Sequence, residues 1–112
     1  MKADVQVILS GRGIREGFQI AGEYEIYLEW DGGYQTVRFR IVEAASGYFE
    51  FYQSHFLQTP EESAPYRTSG RTAQTQTEAL RLGVESIMRN YNLALGKGHR
   101  PSAIWFVRNE EF

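Results

Sequence analysis

The chain has no cysteine, which excludes disulfides, thiolate nucleophiles and sulfur-ligated metal sites. Proline is scarce, and two of its three occurrences, Pro60 and Pro65, fall in one loop-like stretch. No apolar run approaches the roughly 20 residues that a membrane-spanning helix needs. The stretch MKADVQVIL has one lysine and a short apolar run broken by Gln6, without the apolar core or cleavage site of a secretory leader. A cytoplasmic protein with no membrane partner is expected. The two histidines, His55 and His99, stand too far apart for a metal-ligand motif. Also missing are the Gly-rich phosphate loop ending in Gly-Lys-Ser/Thr, the Gly-x-Ser-x-Gly elbow and the His-Glu-x-x-His zinc motif. No catalytic residue, metal ligand or cofactor is assigned on these grounds, and an enzyme is the less expected class.

What is present is a well-formed apolar pattern. The 112 residues, 42% hydrophobic and 14% aromatic, suffice for a single domain (residues 1–112) with one core. The net charge of −2 gives no global attraction to nucleic acid. Its distribution is uneven: residues 1–62 carry 5 basic and 10 acidic side chains, and residues 63–109 carry 7 and 2. Ten of the twelve basic residues are arginine, the side chain suited to bidentate contact with carboxylate or phosphate. The two halves can neutralise each other within the fold.

The clearest element runs from Glu23 to Val42. Tyr24, Ile26, Leu28 and Trp30 alternate with Glu23, Glu25, Tyr27 and Glu29, and after Asp31-Gly32-Gly33 a second arm sets Val37, Phe39 and Ile41 against Thr36, Arg38 and Arg40. That period of two predicts a hairpin with one buried face. Loops of two or four residues both keep apolar residues on one face and opposite charges on the other. A three-residue loop would place arginines opposite the apolar row.

Around the hairpin, Val5–Leu9 reads as a first strand, Phe18–Ala21 as the start of the long arm with Gly22 as a bulge or bend, and Tyr48–Leu57 as a third arm. A turn closed by Gly47 would set Ile41 opposite Phe49 and Phe39 opposite Phe51. Gln58–Ala73 is a long loop of the kind that often carries function. Thr75-x-x-Glu78 predicts a capping box, and Leu80, Val84, Ile87, Met88, Tyr91 and Leu95 recur at helical spacing as the face that covers the sheet. Gly96 and Gly98 end the helix, and Ala103–Val107 reads as a last strand. The expected fold is therefore α+β: an antiparallel meander of four or five strands built on the 23–42 hairpin, one long helix over about 75–95 on one face, and a short final strand.

Three groups of residues are candidates for contact with a partner. The outer sheet face gathers Tyr27, Tyr34, Arg38, Arg40, Tyr48 and Tyr52, aromatic platforms interleaved with cations as in single-strand binders, although Glu23, Glu25, Glu29 and Glu50 on the same face would repel phosphates. Arg12 and Arg15 in a glycine-rich loop, with Tyr66, Arg67 and Arg71 in the long loop, are candidates for an anion or a charged partner. Ala79, Leu82 and Leu93 form a second apolar strip on the helix, which either meets a second copy or is covered by the final strand. The leading expectation is a non-enzymatic protein acting through protein–protein contact and forming a homodimer. The alternative is a single-stranded nucleic-acid binder, disfavoured by charge, and the third is a small ligand-binding or enzymatic domain.

Overall fold

The computed structural model describes residues 4–10, 14–15, 18–68 and 70–112. The fold is α+β. Strands β1 (Asp4–Ser10), β2 (Ile14–Arg15), β3 (Phe18–Trp30), β4 (Gly33–Glu43), β5 (Phe49–Gln53) and β7 (Thr72–Ala73) form one antiparallel sheet in the order β1-β3-β4-β5-β7, with β2 continuing the β1 side of β3. Four of these strands are substantial, and β2 and β7 contribute two residues each. Helix α1 (Gln76–Gly96) packs over the β4 and β5 part of the sheet. The last strand, β8 (Phe106–Arg108), pairs with β6 (His55–Leu57) in a separate two-stranded sheet.

The central hairpin adopts the two-residue loop. Glu23 faces Arg40, Glu25 faces Arg38, Ile26 faces Val37 and Trp30 faces Gly33. Gly32 takes the positive φ (100°) that the tight reversal demands. A register shift between Ile20 and Gly22 marks the expected bulge. There Gln76 of the helix donates to the Tyr24 hydroxyl (2.6 Å) and to the Ala21 carbonyl (3.3 Å), so the bulge also anchors the helix start.

The next turn differs from the sequence expectation. Ile41 faces Phe51 and Phe39 faces Gln53, because the loop runs from Ala44 to Tyr48 and closes through Ala44 N–H to the Tyr48 carbonyl (2.8 Å). A shift of two leaves every side chain on its predicted face. The third arm is also interrupted. At Ser54 the chain leaves the sheet, its N–H donating to the Arg38 carbonyl (2.9 Å) while its hydroxyl accepts from the Arg38 N–H (2.8 Å). Ser54 thus ends the β4 ladder with a side chain, and β6 is free to pair with β8. The predicted last strand is half a strand: Ala103–Trp105 winds into a 3-10 turn capped by Ser102, and only Phe106 onward is extended.

Helix α1 begins at the predicted place, with Thr75 Oγ1 accepting from the Glu78 N–H (3.1 Å). The reciprocal half of the capping box is replaced by an ion pair from Glu78 to Arg81. At the other end Gly98 (φ 90°) donates to Leu95 and His99 to Ala94, which is the Schellman closure. The buried face keeps Ile87 and Tyr91 of the predicted stripe but is rotated from the rest of it. Ala79, Gly83, Ser86, Ile87, Tyr91 and Ala94 face the sheet, while Leu80, Val84, Met88 and Leu95 are partly buried on a flank. Small residues occupy the line of closest approach, and larger ones fill the angle beside it. Ile26, Leu28, Val37, Phe39, Ile41, Phe51 and Leu57 complete the core, and Trp105 and Phe106 close one end against Tyr91 and Trp30. No helix among the described residues is long and apolar enough to cross a membrane.

Candidate functional site

The outer face of the sheet is built by the same alternation that fills the core. With the two-residue loop, Tyr27 and Tyr34 become diagonal neighbours, and their rings stack with centroids 5.3 Å apart. Tyr34 is 63% exposed. The Tyr27 hydroxyl donates to Glu29 (3.3 Å). Partial burial pushes the Tyr27 phenol above its ordinary pKa, and the Glu29 carboxylate pushes it further. Beside the tyrosines, Arg38 lies 3.8 Å from both Glu23 and Glu25, and Arg40 lies 3.1 Å from Glu23. The expected cross-strand ion pairs are therefore in place.

The two arginines are not equivalent. Arg40 donates to the Phe112 carbonyl (2.9 Å) and lies under the Phe112 ring, whereas Arg38 keeps half of its side chain in solvent. The segment from Asn109 to Phe112 reaches this face because Asn109 donates through its amide to the Gln53 carbonyl and through its backbone to Ser54. Between that segment and β4 lies a cleft of about 350 Å³ lined by Thr36, Arg38, Ser54, His55, Arg108, Glu110 and Phe112, among others. Within it the Ser54 hydroxyl and His55 Nδ1 are 2.8 Å apart. Burial lowers the His55 pKa, and the Arg108 charge lowers it further. A neutral imidazole accepting at Nδ1 carries its proton on Nε2, which makes it a hydrogen-bond donor. A serine beside a histidine is the beginning of a nucleophile–base pair. Here the hydroxyl also accepts from the Arg38 N–H, which holds it as a strand-end bond.

Tyr48 and Tyr52 do not join the tyrosine pair. Tyr48 stands half-exposed in the β4–β5 turn. Tyr52 faces Arg40 across the ladder, donates to Glu50 (2.8 Å) and carries the Arg71 guanidinium 5.4 Å from its ring centroid. Arg12 lies outside the described residues, and Arg15 is placed only as the backbone partner of Phe18. Of the long-loop residues, Tyr66 bridges to Leu57 and is 38% exposed, and Arg67 lies over Phe56 at 4.1 Å. That loop is held at several points. Thr59 and Glu62 bond each other through backbone and side chain, and Glu61 pairs with Lys97 (2.9 Å) and His99 (2.6 Å) beyond the helix. Those two hydrogen bonds, Lys97 first, hold the Glu61 carboxyl below its ordinary pKa.

The second helical strip separates into its members. Ala79 is fully buried against the sheet and so is unavailable to a partner, Leu82 packs on the edge of the core, and Leu93 is 56% exposed. Ile104, at 84% the most exposed large apolar side chain among the described residues, is not among the predicted contacts, because a strand reading of Ala103–Val107 gives it no reason to stand out. The cleft partners Ser54, His55, Arg108 and Phe112 were also missed. Their meeting depends on the β6–β8 pairing, which leaves no local signal. Among the described residues no group of three or more His, Asp or Glu side chains comes together as a metal site. No family model, curated protein or solved structure matches the chain.

Proposed function

We propose that this is a non-enzymatic cytoplasmic protein that works by protein–protein contact and self-associates through the outer face of its sheet. The observation that carries the reading is the Tyr27–Tyr34 stack, an exposed pair of large rings fixed by the hairpin and bordered by arginine–glutamate pairs. Rigid tyrosines bury much area on contact at small entropic cost, and paired charges around them suit a polar rim. Sedimentation velocity over a wide range of concentration tests it. The mass should rise with concentration, and Tyr34→Glu should return the protein to monomer while Leu93→Glu leaves it associated. A monomer at every concentration would remove self-association, and a response to Leu93→Glu alone would move the interface to the helix.

A second reading rests on the cleft beside the tyrosines, where Arg38 and Arg108 share one wall system. Two cations next to aromatic rings support single-stranded nucleic-acid binding. The carboxylates of Glu23 and Glu25 on Arg38 oppose it. Anisotropy of a labelled oligothymidine at low and high salt separates the readings, because phosphate contacts weaken steeply with salt.

A further inference from the structure

Arg67 and Arg71 are exposed, and among the described residues neither has a carboxylate within ion-pair distance. Both are nevertheless fixed in place. The Leu57–Tyr66 bridge, with Tyr66 N–H donating to the Leu57 carbonyl (2.7 Å), sets Arg67 beside Phe56, and its guanidinium lies 4.1 Å from that ring centroid. The Arg71 carbonyl accepts from the Phe51 N–H (3.1 Å), which holds Arg71 beside β5 with its guanidinium over Tyr52. The two arginines, with Thr68, Gln53 and Phe56, line one cleft of about 360 Å³. Two guanidinium groups with no carboxylate partner among the described residues, each lying over an aromatic ring and each on or beside a backbone hydrogen-bonded to a strand, form a pre-organised pair for oxyanions.

We propose that this cleft is a docking site for an acidic peptide segment of a partner, whose carboxylates engage Arg67 and Arg71 while its backbone lies along Thr68. The site lies apart from the tyrosine face and goes beyond the self-association read there. An acidic peptide fits better than a nucleic-acid strand because each guanidinium already lies over the ring nearest to it, so those ring faces are not free to stack a base.

The test is anisotropy of a labelled oligoglutamate peptide titrated with the whole chain, alongside a labelled oligothymidine. Peptide binding should fall about tenfold or more when both arginines become alanine, the loss expected for charge-assisted contacts. Arg67→Lys with Arg71→Lys should recover part of it, since charge remains and the fork is lost. Arg81→Ala and Tyr34→Glu should leave it unchanged, so the proposal stands or falls independently of the tyrosine face. Absence of peptide binding, or equal binding by the double alanine variant, overturns the site. Tighter binding of oligothymidine through the same arginines overturns its occupant.

Discussion

The Phe112 ring lies 4.2 Å from the Arg40 guanidinium, and its carbonyl accepts an Arg40 hydrogen bond at 2.9 Å. Together with Glu23 this leaves the Arg40 side chain only 14% exposed, against 50% for Arg38 one ladder step along the same face. Cation–π contact at a partly desolvated site contributes about 1 kcal/mol. Phe112→Ala should therefore lower stability by about that amount, seen as a lower urea midpoint with an unchanged slope. Unchanged stability would mean that the segment after Asn109 is not held on the sheet.

Gly83 sets how closely α1 approaches the sheet. A Cβ there would stand 3.0 Å from Phe39 Cδ1 and 3.1 Å from Phe51 Cδ2. Both rings are fully buried and have little room to withdraw. Alanine gains about 1 kcal/mol of helix propensity over glycine, but overpacking of a filled core costs typically 1–3 kcal/mol. Gly83→Ala should be destabilising by about 1 kcal/mol net, against the usual sign of that substitution in an exposed helix. A stabilised variant in urea denaturation would show that the helix can lift from the sheet at no cost.

The same packing explains what could be read from the residues. Alternation and the helix cap are legible in the residues, whereas the length of the Ala44–Tyr48 turn and the 3-10 turn at Ala103–Trp105 are not. Alternation predicts the 23–42 hairpin with a loop of either two or four residues, of which the structure takes the two-residue Asp31-Gly32 turn and its ion pairs, and Thr75 marks the helix start. Hydrophobicity alone finds Ile87 and Tyr91 on the buried face of α1 but misses its small members, because it weights Leu80 and Met88 above Ala79, Gly83 and Ala94, which occupy the closest approach for being small. The interruption at Ser54 was invisible for a different reason. Phe49, Phe51, Gln53, His55 and Leu57 keep one parity throughout, so the period does not register that the chain changes partner from β4 to β8. The Arg38–His55–Arg108 cleft depends on that change of partner.

Tyr91 is fully buried, packs edge-on against Trp105, and its hydroxyl has no hydrogen-bond partner among the described residues. Burial pushes its phenol up to about 12. An unsatisfied buried hydroxyl is a standing cost, while the ring supplies the packing. Tyr91→Phe should keep the fold and raise stability by up to about 1 kcal/mol, seen as a higher midpoint of thermal unfolding. A loss of stability of that size would mean that the hydroxyl is satisfied by bound water.

His55 gives the fold an acid-sensitive point. Its pKa is lowered from 6.5, first by burial and then by Arg108, while Ser54 holds Nδ1 and Arg38, Arg108 and Glu110 line the surrounding cleft. The folded state therefore binds fewer protons at this position than the unfolded chain does. Its stabilising contribution is fully present above pH 6.5 and is lost as pH falls from there through the lowered folded value. Glu61, also lowered, acts in a separate window: its contribution is present above its ordinary value of 4.5 and is lost on further acidification. Urea midpoints measured across mildly acidic pH should decline for the parent chain, and His55→Gln should flatten the decline below pH 6.5 while leaving the one below 4.5 in place. An identical pH profile in the variant would show that His55 is hydrated in the folded state and that the cleft does not hold it neutral.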